Sequence, residues 1–152
     1  MPKEIKYGHI RGPSVITDEW PIAASITFSN RGGKFVKLTS NRLDIAGSGD
    51  TGILGWLLIG TGTATTVVSS STAGQTKGEV NISHLSIYRL PSDADPANTR
   101  GELCDLIVNT NVQQADIGES NEDIIRIIAN DTDDDTVDVH LWTPNVTSPT
   151  VV

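Results

Sequence analysis

The feature that most restricts the fold of this chain is a series of short apolar runs, rich in β-branched residues, that alternate with turn-forming residues. Runs such as ASITF (24–28), KFVKL (34–38) and TVDVHLW (136–142) have the length of strands rather than helices. Val, Ile and Thr fit the pleated surface of a sheet better than a helix. Fourteen glycines, with Ser, Asn and Asp, separate the runs, as turns require. The sequence therefore predicts an all-β fold, a single small β-barrel or sandwich.

Composition divides the chain into three parts. Residues 1–21 carry scattered charge, glycine and proline, and we interpret them as an extended N-terminal arm. Residues 22–142 form the predicted β-barrel or sandwich domain, and residues 143–152, with two prolines, are predicted to leave it as a tail. The arm is less polar than a typical disordered segment, so we expect it to order on contact with a partner. Its candidate contact residues are Tyr7, Ile10, Val15, Ile16 and Trp20.

Turn residues predict how several strands pair. SNRGG joins the runs at 24–28 and 34–38, which predicts a hairpin, because adjacent glycines take positive φ at little cost. TSN (39–41) is predicted to turn the chain from KFVKL into RLDIA. EVNISHLSIYRL (79–90) alternates as one continuous strand. SNEDIIRIIAN (120–130) fits a helix or a strand, and its β-branched content together with the neighbouring run at 136–142 favours a strand hairpin.

Charge is distributed unevenly along the chain. The net charge of −8 argues against nucleic-acid binding, which needs a basic surface. Residues 1–100 hold ten basic and eight acidic residues, whereas residues 101–152 hold eleven acidic residues and one basic residue, Arg126. One interpretation is a solvated acidic face; the other is a bipolar subunit that docks by its neutral-to-basic part. The longest apolar run, residues 52–60, is shorter than the ~20 residues of a membrane helix, so no membrane partner is expected.

The acidic run NDTDDDTVDVHLW (130–142) is the first candidate for a site. Asp131, Asp133 and Asp135 match the first, third and fifth positions of a helix–loop–helix calcium loop. Thr136 replaces the required glycine, and Trp142 replaces the bidentate glutamate. The run therefore indicates an Asp-rich hairpin turn, with a weakly held surface cation as the alternative.

No other motif predicts chemistry. AGSGD (46–50) lacks the first glycine of a nucleophile elbow, and GTGTAT (60–65) lacks the lysine of a phosphate-binding loop. The remaining candidates are carboxylates in a polar segment, and three histidines and a cysteine without zinc-ligand spacing. These residues are Asp116, Glu119, Glu122, Asp123, His9, His84, His140 and Cys104. The sequence predicts no catalytic, metal or cofactor site.

Two stretches resemble a known family. GKFVKLTSNRLDIAGSGDTGILGWLLI (33–59) resembles the opening of the small β-barrel head-decoration, or cement, proteins of tailed bacteriophages, and residues 104–142 resemble the closing half of such phage barrels. The insertion TATTVVSSSTAGQTKGEV (63–80) departs from the pattern.

The resemblance implies a virion protein, made in the host cytoplasm, that binds the capsid exterior as a trimer or dimer and ties major capsid subunits together. The alternative is a tail or fibre-associated β-domain that binds a host-surface glycan. A hydrolase using the Asp cluster is a third hypothesis, and it needs two of those carboxylates in an enclosed pocket.

Overall fold

The computed structural model describes residues 5–59 and 66–142, and regular secondary structure in these ranges consists of strands. The predicted tail and the GTGTAT motif lie outside them. The strands are β1 (Gly8–Arg11), β2 (Ile16–Pro21), β3 (Thr27–Phe28), β4 (Phe35–Thr39), β5 (Arg42–Ile45), β6 (Ile53–Leu58), β7 (Val67–Val68), β8 (Lys77–Asn81), β9 (Ile87–Pro91), β10 (Leu103–Asn109), β11 (Val112–Asp116), β12 (Ile125–Asp131) and β13 (Thr136–Leu141).

These strands form two large antiparallel sheets and a small ribbon. The six-stranded sheet has the order β1-β9-β13-β12-β10-β11, the five-stranded sheet has the order β2-β8-β6-β4-β5, and β3 pairs with β7. Neither large sheet closes into a barrel. Two single parallel bridges join strands that are not neighbours in their sheet. Ile22, just after β2, bridges to Leu43 of β5, and Ser92, just after β9, bridges to Ala115 of β11. The predicted all-β fold is confirmed, with open sheets packed face to face.

The main hydrophobic core lies between the two large sheets. Phe35 and Trp56 of the five-stranded sheet meet Tyr88 of the six-stranded sheet, with the Trp56 and Tyr88 rings stacked at a centroid distance of 4.8 Å. A second core lies on the opposite face of the five-stranded sheet, where Phe28 and Val67 of the β3–β7 ribbon cover it. β6 is therefore buried on both faces, which explains why residues 52–60 are a continuous apolar run.

Gln113 is a buried polar link between the two sheets. Its side-chain Oε1 accepts a hydrogen bond from the Phe35 N–H at 2.8 Å, and its Nε2 donates to the carbonyls of Phe35 and Ala46, each at 2.8 Å. All these groups are buried, so each bond replaces hydration that the folded core has excluded. The link fixes β11 against the end of β5 and the start of β4.

The predicted hairpin between residues 24–28 and 34–38 is wrong. β3 pairs with β7, and β4 pairs with β5 and β6. Gly32 and Gly33 serve a different purpose: the Gly33 N–H donates to the Gln113 carbonyl at 2.9 Å, and a Cβ on Gly32 would lie 2.8 Å from the Gln113 nitrogen. The two glycines allow a close approach to β11 instead of forming a hairpin turn.

The prediction of one strand over residues 79–90 is also wrong. β8 ends at Asn81 in the five-stranded sheet, and β9 begins at Ile87 in the six-stranded sheet. The chain crosses between the sheets at residues 82–86. Residues 12–15 make the same crossing between β1 and β2, alongside the first. We call these two connections the sheet crossover.

Two local predictions are confirmed. TSN turns the chain from β4 into β5, with Ser40 and Asn41 both at positive φ, as a two-residue hairpin turn requires. The predicted strand at 120–130 is confirmed from Ile125 onwards: β12 pairs with β13 across the Asp-rich turn, and residues 120–124 form a loop before it. In both cases neighbouring residues carry the information, so sequence was sufficient.

Candidate interaction surface

The Asp-rich segment is the turn of the β12–β13 hairpin. The Asp131 carboxylate accepts hydrogen bonds from the backbone N–H groups of Asp133 and Asp134, at 2.9 and 3.2 Å. This is the local bonding for which Asp is favoured in turns. Within the described ranges, no group of three or more His, Cys, Asp or Glu side chains is arranged to hold a metal ion.

A second group of carboxylates surrounds the end of β11. Asp105 is buried, and its carboxylate accepts hydrogen bonds from the N–H groups of Asn121, Glu122 and Asp123 at 2.9–3.0 Å. Asp105 therefore organises the 119–123 loop. A hydrogen bond between the side chains of Asp105 and Glu122 also raises the pKa of Glu122.

Asp116 lies directly opposite Asp105 in the β10–β11 pairing. Burial raises the pKa of Asp116 to about 6, with further contributions from a hydrogen bond to Asp93 and from the charge of Glu119. Like charges placed opposite one another on neighbouring strands repel. The two carboxylates lie close together at the edge of the six-stranded sheet, and an open depression of about 430 Å³, lined by Glu102, Leu103, Gly118, Ser120 and Asp123, runs along the loop that Asp105 organises.

The histidines and the cysteine lie apart. His9 is on β1, where its Nε2 lies 2.9 Å from the Gly12 carbonyl, and His140 is on β13 with its Nδ1 2.9 Å from the Leu141 carbonyl. His84 is exposed in the sheet crossover. Cys104 is buried in the main core, and burial together with neighbouring carboxylates raises its pKa to about 12, which suppresses the reactive thiolate.

Lys34 is a buried cation at the start of β4. Burial lowers its pKa to about 8, and its ammonium group lies 3.4 Å from the Ser29 carbonyl. Its own carbonyl accepts a hydrogen bond from the Leu57 N–H at 2.8 Å. Lys34 is thus part of the packing of residues 29–34 against the five-stranded sheet.

The three tryptophans occupy separate environments. Trp56 is buried in the main core. Trp20, on β2, donates a hydrogen bond from Nε1 to Thr17 Oγ1 at 2.7 Å. Trp142 follows β13, and the Arg126 guanidinium lies 4.2 Å from its ring centroid. They do not share a groove of the kind that a glycan platform requires.

The predicted arm residues lie on the body over their described part. β1 pairs with β9 and β2 pairs with β8, so the segment supplies an edge strand to each large sheet. Tyr7, Ile10 and Trp20 are half-buried. Val15 and Ile16 remain 51% and 46% exposed. The structure thus leaves two of the five predicted contact residues as open apolar surface.

Asn81 and Ser86 hold this segment in place. The buried Asn81 side chain accepts hydrogen bonds from the N–H groups of Val15 and Ser83 at 3.0 and 3.1 Å, and donates to Ser86 Oγ at 3.0 Å. Ser86 Oγ in turn donates to the Pro13 carbonyl at 2.6 Å. The Val15 carbonyl accepts from the Ile82 N–H at 2.9 Å. Both connections of the sheet crossover are therefore fixed to one another.

Leu85 is the member of this surface that the sequence did not predict. It lies in the crossover and is 63% exposed, and its carbonyl packs so closely on Gly12 that a Cβ there would lie 2.5 Å away. With Val15 and Ile16 it forms what we call the crossover surface. The sequence signal that could have identified the crossover is the presence of Asn81, Ser83 and Ser86 in the predicted strand at 79–90. These residue types favour local turns over the hydrogen-bond ladder of a sheet.

Comparison of the chain with family models, with curated proteins and with solved structures finds no match in any of the three. Among the described residues there is no helix with the length and apolar character that a membrane crossing requires. The crossover surface is thus the candidate site that the geometry supplies.

Proposed function

We propose that this chain is a non-enzymatic virion structural protein that binds the outer surface of an assembled phage capsid and bridges neighbouring capsid subunits. The observation that carries the proposal is the crossover surface: Val15, Ile16 and Leu85 are exposed on backbone that Asn81 and Ser86 hold rigidly. Exposed apolar side chains on a fixed scaffold suit binding by contact area. The resemblance of residues 33–59 and 104–142 to head-decoration proteins supplies the choice of partner.

The energetics support such a role. Fully burying an aliphatic side chain contributes ~1.5–3 kcal/mol, so covering the exposed half of each crossover residue contributes about 1 kcal/mol apiece. Residues 8–11 and 16–21 are already paired as strands, and the connection between them is held by the Asn81 and Ser86 hydrogen bonds. The ~1–2 kcal/mol per residue needed to order a free segment is therefore met during folding. A subunit that binds only the assembled shell then stabilises that shell by mass action.

The polar side chains that would suggest chemistry have structural partners. Asp131 closes a hairpin turn and Asp105 closes the 119–123 loop. Asp138 forms a two-point ion pair with Arg89, with nitrogen–oxygen distances of 2.7 and 3.0 Å. These contacts give Asp131, Asp105 and Asp138 structural roles that need no reaction, which supports a binding role over the hydrolase hypothesis.

Binding to purified undecorated heads tests the proposal directly. We expect wild-type protein to co-sediment with heads at a fixed copy number per capsid subunit, and to show little binding to unassembled capsid protein. The decorated heads should withstand heating or chelation better than bare heads. Protein that stays in the supernatant at saturating concentration would contradict the proposal.

A further inference from the structure

Arg126 is the one Lys or Arg among residues 101–152, and the structure gives its charge no acidic partner. Within residues 5–59 and 66–142, no carboxylate forms an ion pair with its guanidinium, and its Nε is buried without a hydrogen-bond acceptor. A buried donor without an acceptor is uncommon in native proteins and can mark the place of a bound water or ion. A partner for this cation is therefore missing from the described part of the chain.

Arg126 belongs to a row of side chains on the outer face of the six-stranded sheet. Its cross-strand partners are Leu103 of β10 and His140 of β13, and paired residues point to the same face. The residues before and after Arg126, Ile125 and Ile127, lie in the main core, so Arg126 points away from it. Leu103, Arg126 and His140 are all half-buried. The row is thus partly accessible from outside the sheet.

Trp142 fixes the orientation of the Arg126 guanidinium. The Trp142 N–H donates to the Ile124 carbonyl at 2.9 Å, which extends the β12–β13 pairing by one residue, and the guanidinium carbon lies 4.2 Å from the centroid of the Trp142 ring. A guanidinium stacked on an aromatic face keeps the edge of its planar fork for an acceptor. His140 Nδ1 donates to the Leu141 carbonyl at 2.9 Å, which leaves Nε2 as the second polar atom of the ring. The arrangement suits a planar anion.

Neighbouring carboxylates limit the charge of a suitable anion. Asp138, two residues before His140 on the same face of β13, is held by Arg89 in a two-point ion pair. Glu102 and Asp123 line the open depression that adjoins Leu103. These residues place negative charge beside the row, so a doubly charged phosphate or sulfate meets more repulsion there than a singly charged carboxylate.

We propose that Arg126, with Trp142 and His140 beside it, is a binding site for a carboxylate. The planar fork of arginine matches the two oxygens of a carboxylate. The stacked indole shields one side of the pair from water, which strengthens the attraction. The carboxylate has two possible sources, a free organic acid and an acidic side chain of a protein partner. This inference stands independently of the proposed function, because it uses none of the residues of the crossover surface.

Titration of isotope-labelled protein with sodium acetate tests the site, with the NMR signals of the Arg126 Nε–H and the Trp142 indole N–H as the readout. Sodium chloride at equal ionic strength is the ion control, and sodium sulfate is the doubly charged probe. Arg126→Gln removes the charge, Arg126→Lys keeps the charge without the fork, and Arg42→Gln, at an exposed arginine on β5, is the matched control. Circular dichroism melting verifies that each variant folds, and Arg126→Lys carries the test if Arg126→Gln does not.

We expect acetate to shift both signals saturably in the wild type. Its binding should weaken about tenfold or more in Arg126→Gln, by a smaller factor in Arg126→Lys, and not at all in Arg42→Gln. Equal shifts with chloride would mean an adventitious ion only and would overturn the site. Tighter binding of sulfate than of acetate would overturn the assignment to a carboxylate.

Co-sedimentation with undecorated heads distinguishes the two sources of the carboxylate. If an acidic side chain of the capsid supplies it, Arg126→Gln should bind heads more weakly than Arg42→Gln, and acetate should compete with heads for the wild type. If a free acid supplies it, Arg126→Gln should bind heads as the wild type does. Wild-type protein that binds acetate and ignores heads would overturn the proposed function and leave this site standing.

Discussion

Two polar segments of this protein have opposite structural roles. In the Asp-rich turn at 131–135 the side-chain bonding is local: the Asp131 carboxylate reaches only two and three residues ahead, and the long-range bond of the turn is made by the Asp135 backbone carbonyl, which accepts from Ser92. The crossover at 81–86 bonds over long distances, because Asn81 reaches Val15 and Ser86 reaches Pro13. The segment with more charge is a local turn, and the segment with less charge joins two sheets. Charge density alone is therefore a poor guide to which polar residues organise a fold.

Gly55→Ala should cause the largest loss of stability, because it displaces the backbone of Asn81, the residue that holds the crossover. A Cβ on Gly55 would lie 2.2 Å from the Asn81 carbonyl oxygen and 3.0 Å from the Asn81 carbonyl carbon, so main chain must move. We expect a loss of about 3 kcal/mol or more in the free energy of unfolding, measured by urea denaturation. Gly47→Ala, whose Cβ would meet a Val108 methyl at 3.3 Å, is the control and should cost under ~1 kcal/mol. Equal losses would contradict the backbone argument.

Asn81→Ala tests the same segment through its hydrogen bonds. The substitution leaves the N–H groups of Val15 and Ser83 without their acceptor. The Ser83 N–H is buried and the Val15 N–H is partly buried, and an unsatisfied buried group costs ~1–3 kcal/mol, so we expect a loss of about 2–3 kcal/mol. Amide hydrogen exchange should also become faster across residues 13–16. Asn121→Ala, at an exposed side chain, should change stability by less than ~0.5 kcal/mol; unchanged exchange at 13–16 would show that Asn81 does not hold the segment.

Asp131→Ala tests the Asp-rich turn. Only an exposed local acceptor is lost, so we expect a decrease in unfolding free energy of about 0.5–1 kcal/mol, clearly smaller than for Asn81→Ala. Binding to heads should be unaffected, since the turn lies at the far end of β9 from the crossover surface. A loss comparable to that of Asn81→Ala, or a loss of head binding, would remove the distinction between the two segments.

Asp116→Asn tests the carboxylates of the six-stranded sheet through pH. Because the folded pKa of Asp116, about 6, lies above its usual value, the folded state binds its proton more tightly than the unfolded state. Its contribution to stability is therefore present at low pH and is lost as pH rises through about 6. Thermal melts between pH 4 and 8 should show this decline in wild type and a smaller decline in the variant. Asp95→Asn, in an exposed loop, is the control; identical pH profiles for wild type and Asp116→Asn would refute the assignment.

Leu85→Ser should have the smallest effect on stability. It distinguishes an effect on binding from an effect on folding. Leu85 is largely exposed, so the melting temperature should stay within the range of ordinary surface substitutions, equivalent to ~0.5 kcal/mol. Binding to undecorated heads should weaken. A folded variant that binds heads as wild type would remove Leu85 from the proposed contact.

Local pattern in the sequence predicted a large part of the fold and a smaller part of the site. The TSN turn, the β12–β13 hairpin and the strand character of residues 125–131 depend on neighbours and were predicted correctly. The SNRGG hairpin failed because Gly32 and Gly33 are set by contact with Gln113, 80 positions after Gly33. The break at residues 82–86 was missed because the acceptor that stabilises it, Asn81, acts on a segment 66 residues earlier.

The sequence by itself determined the all-β class, the Asp-rich turn and the excess of acid in the second part of the chain, because strand propensity, turn chemistry and charge are properties of residues and their neighbours. Only the tertiary structure decided that two connections meet at the sheet crossover and that Leu85 is exposed at the same crossover as Val15 and Ile16. Those features arise from hydrogen bonds and packing between residues far apart in sequence, whose partners become defined only when both sheets have formed.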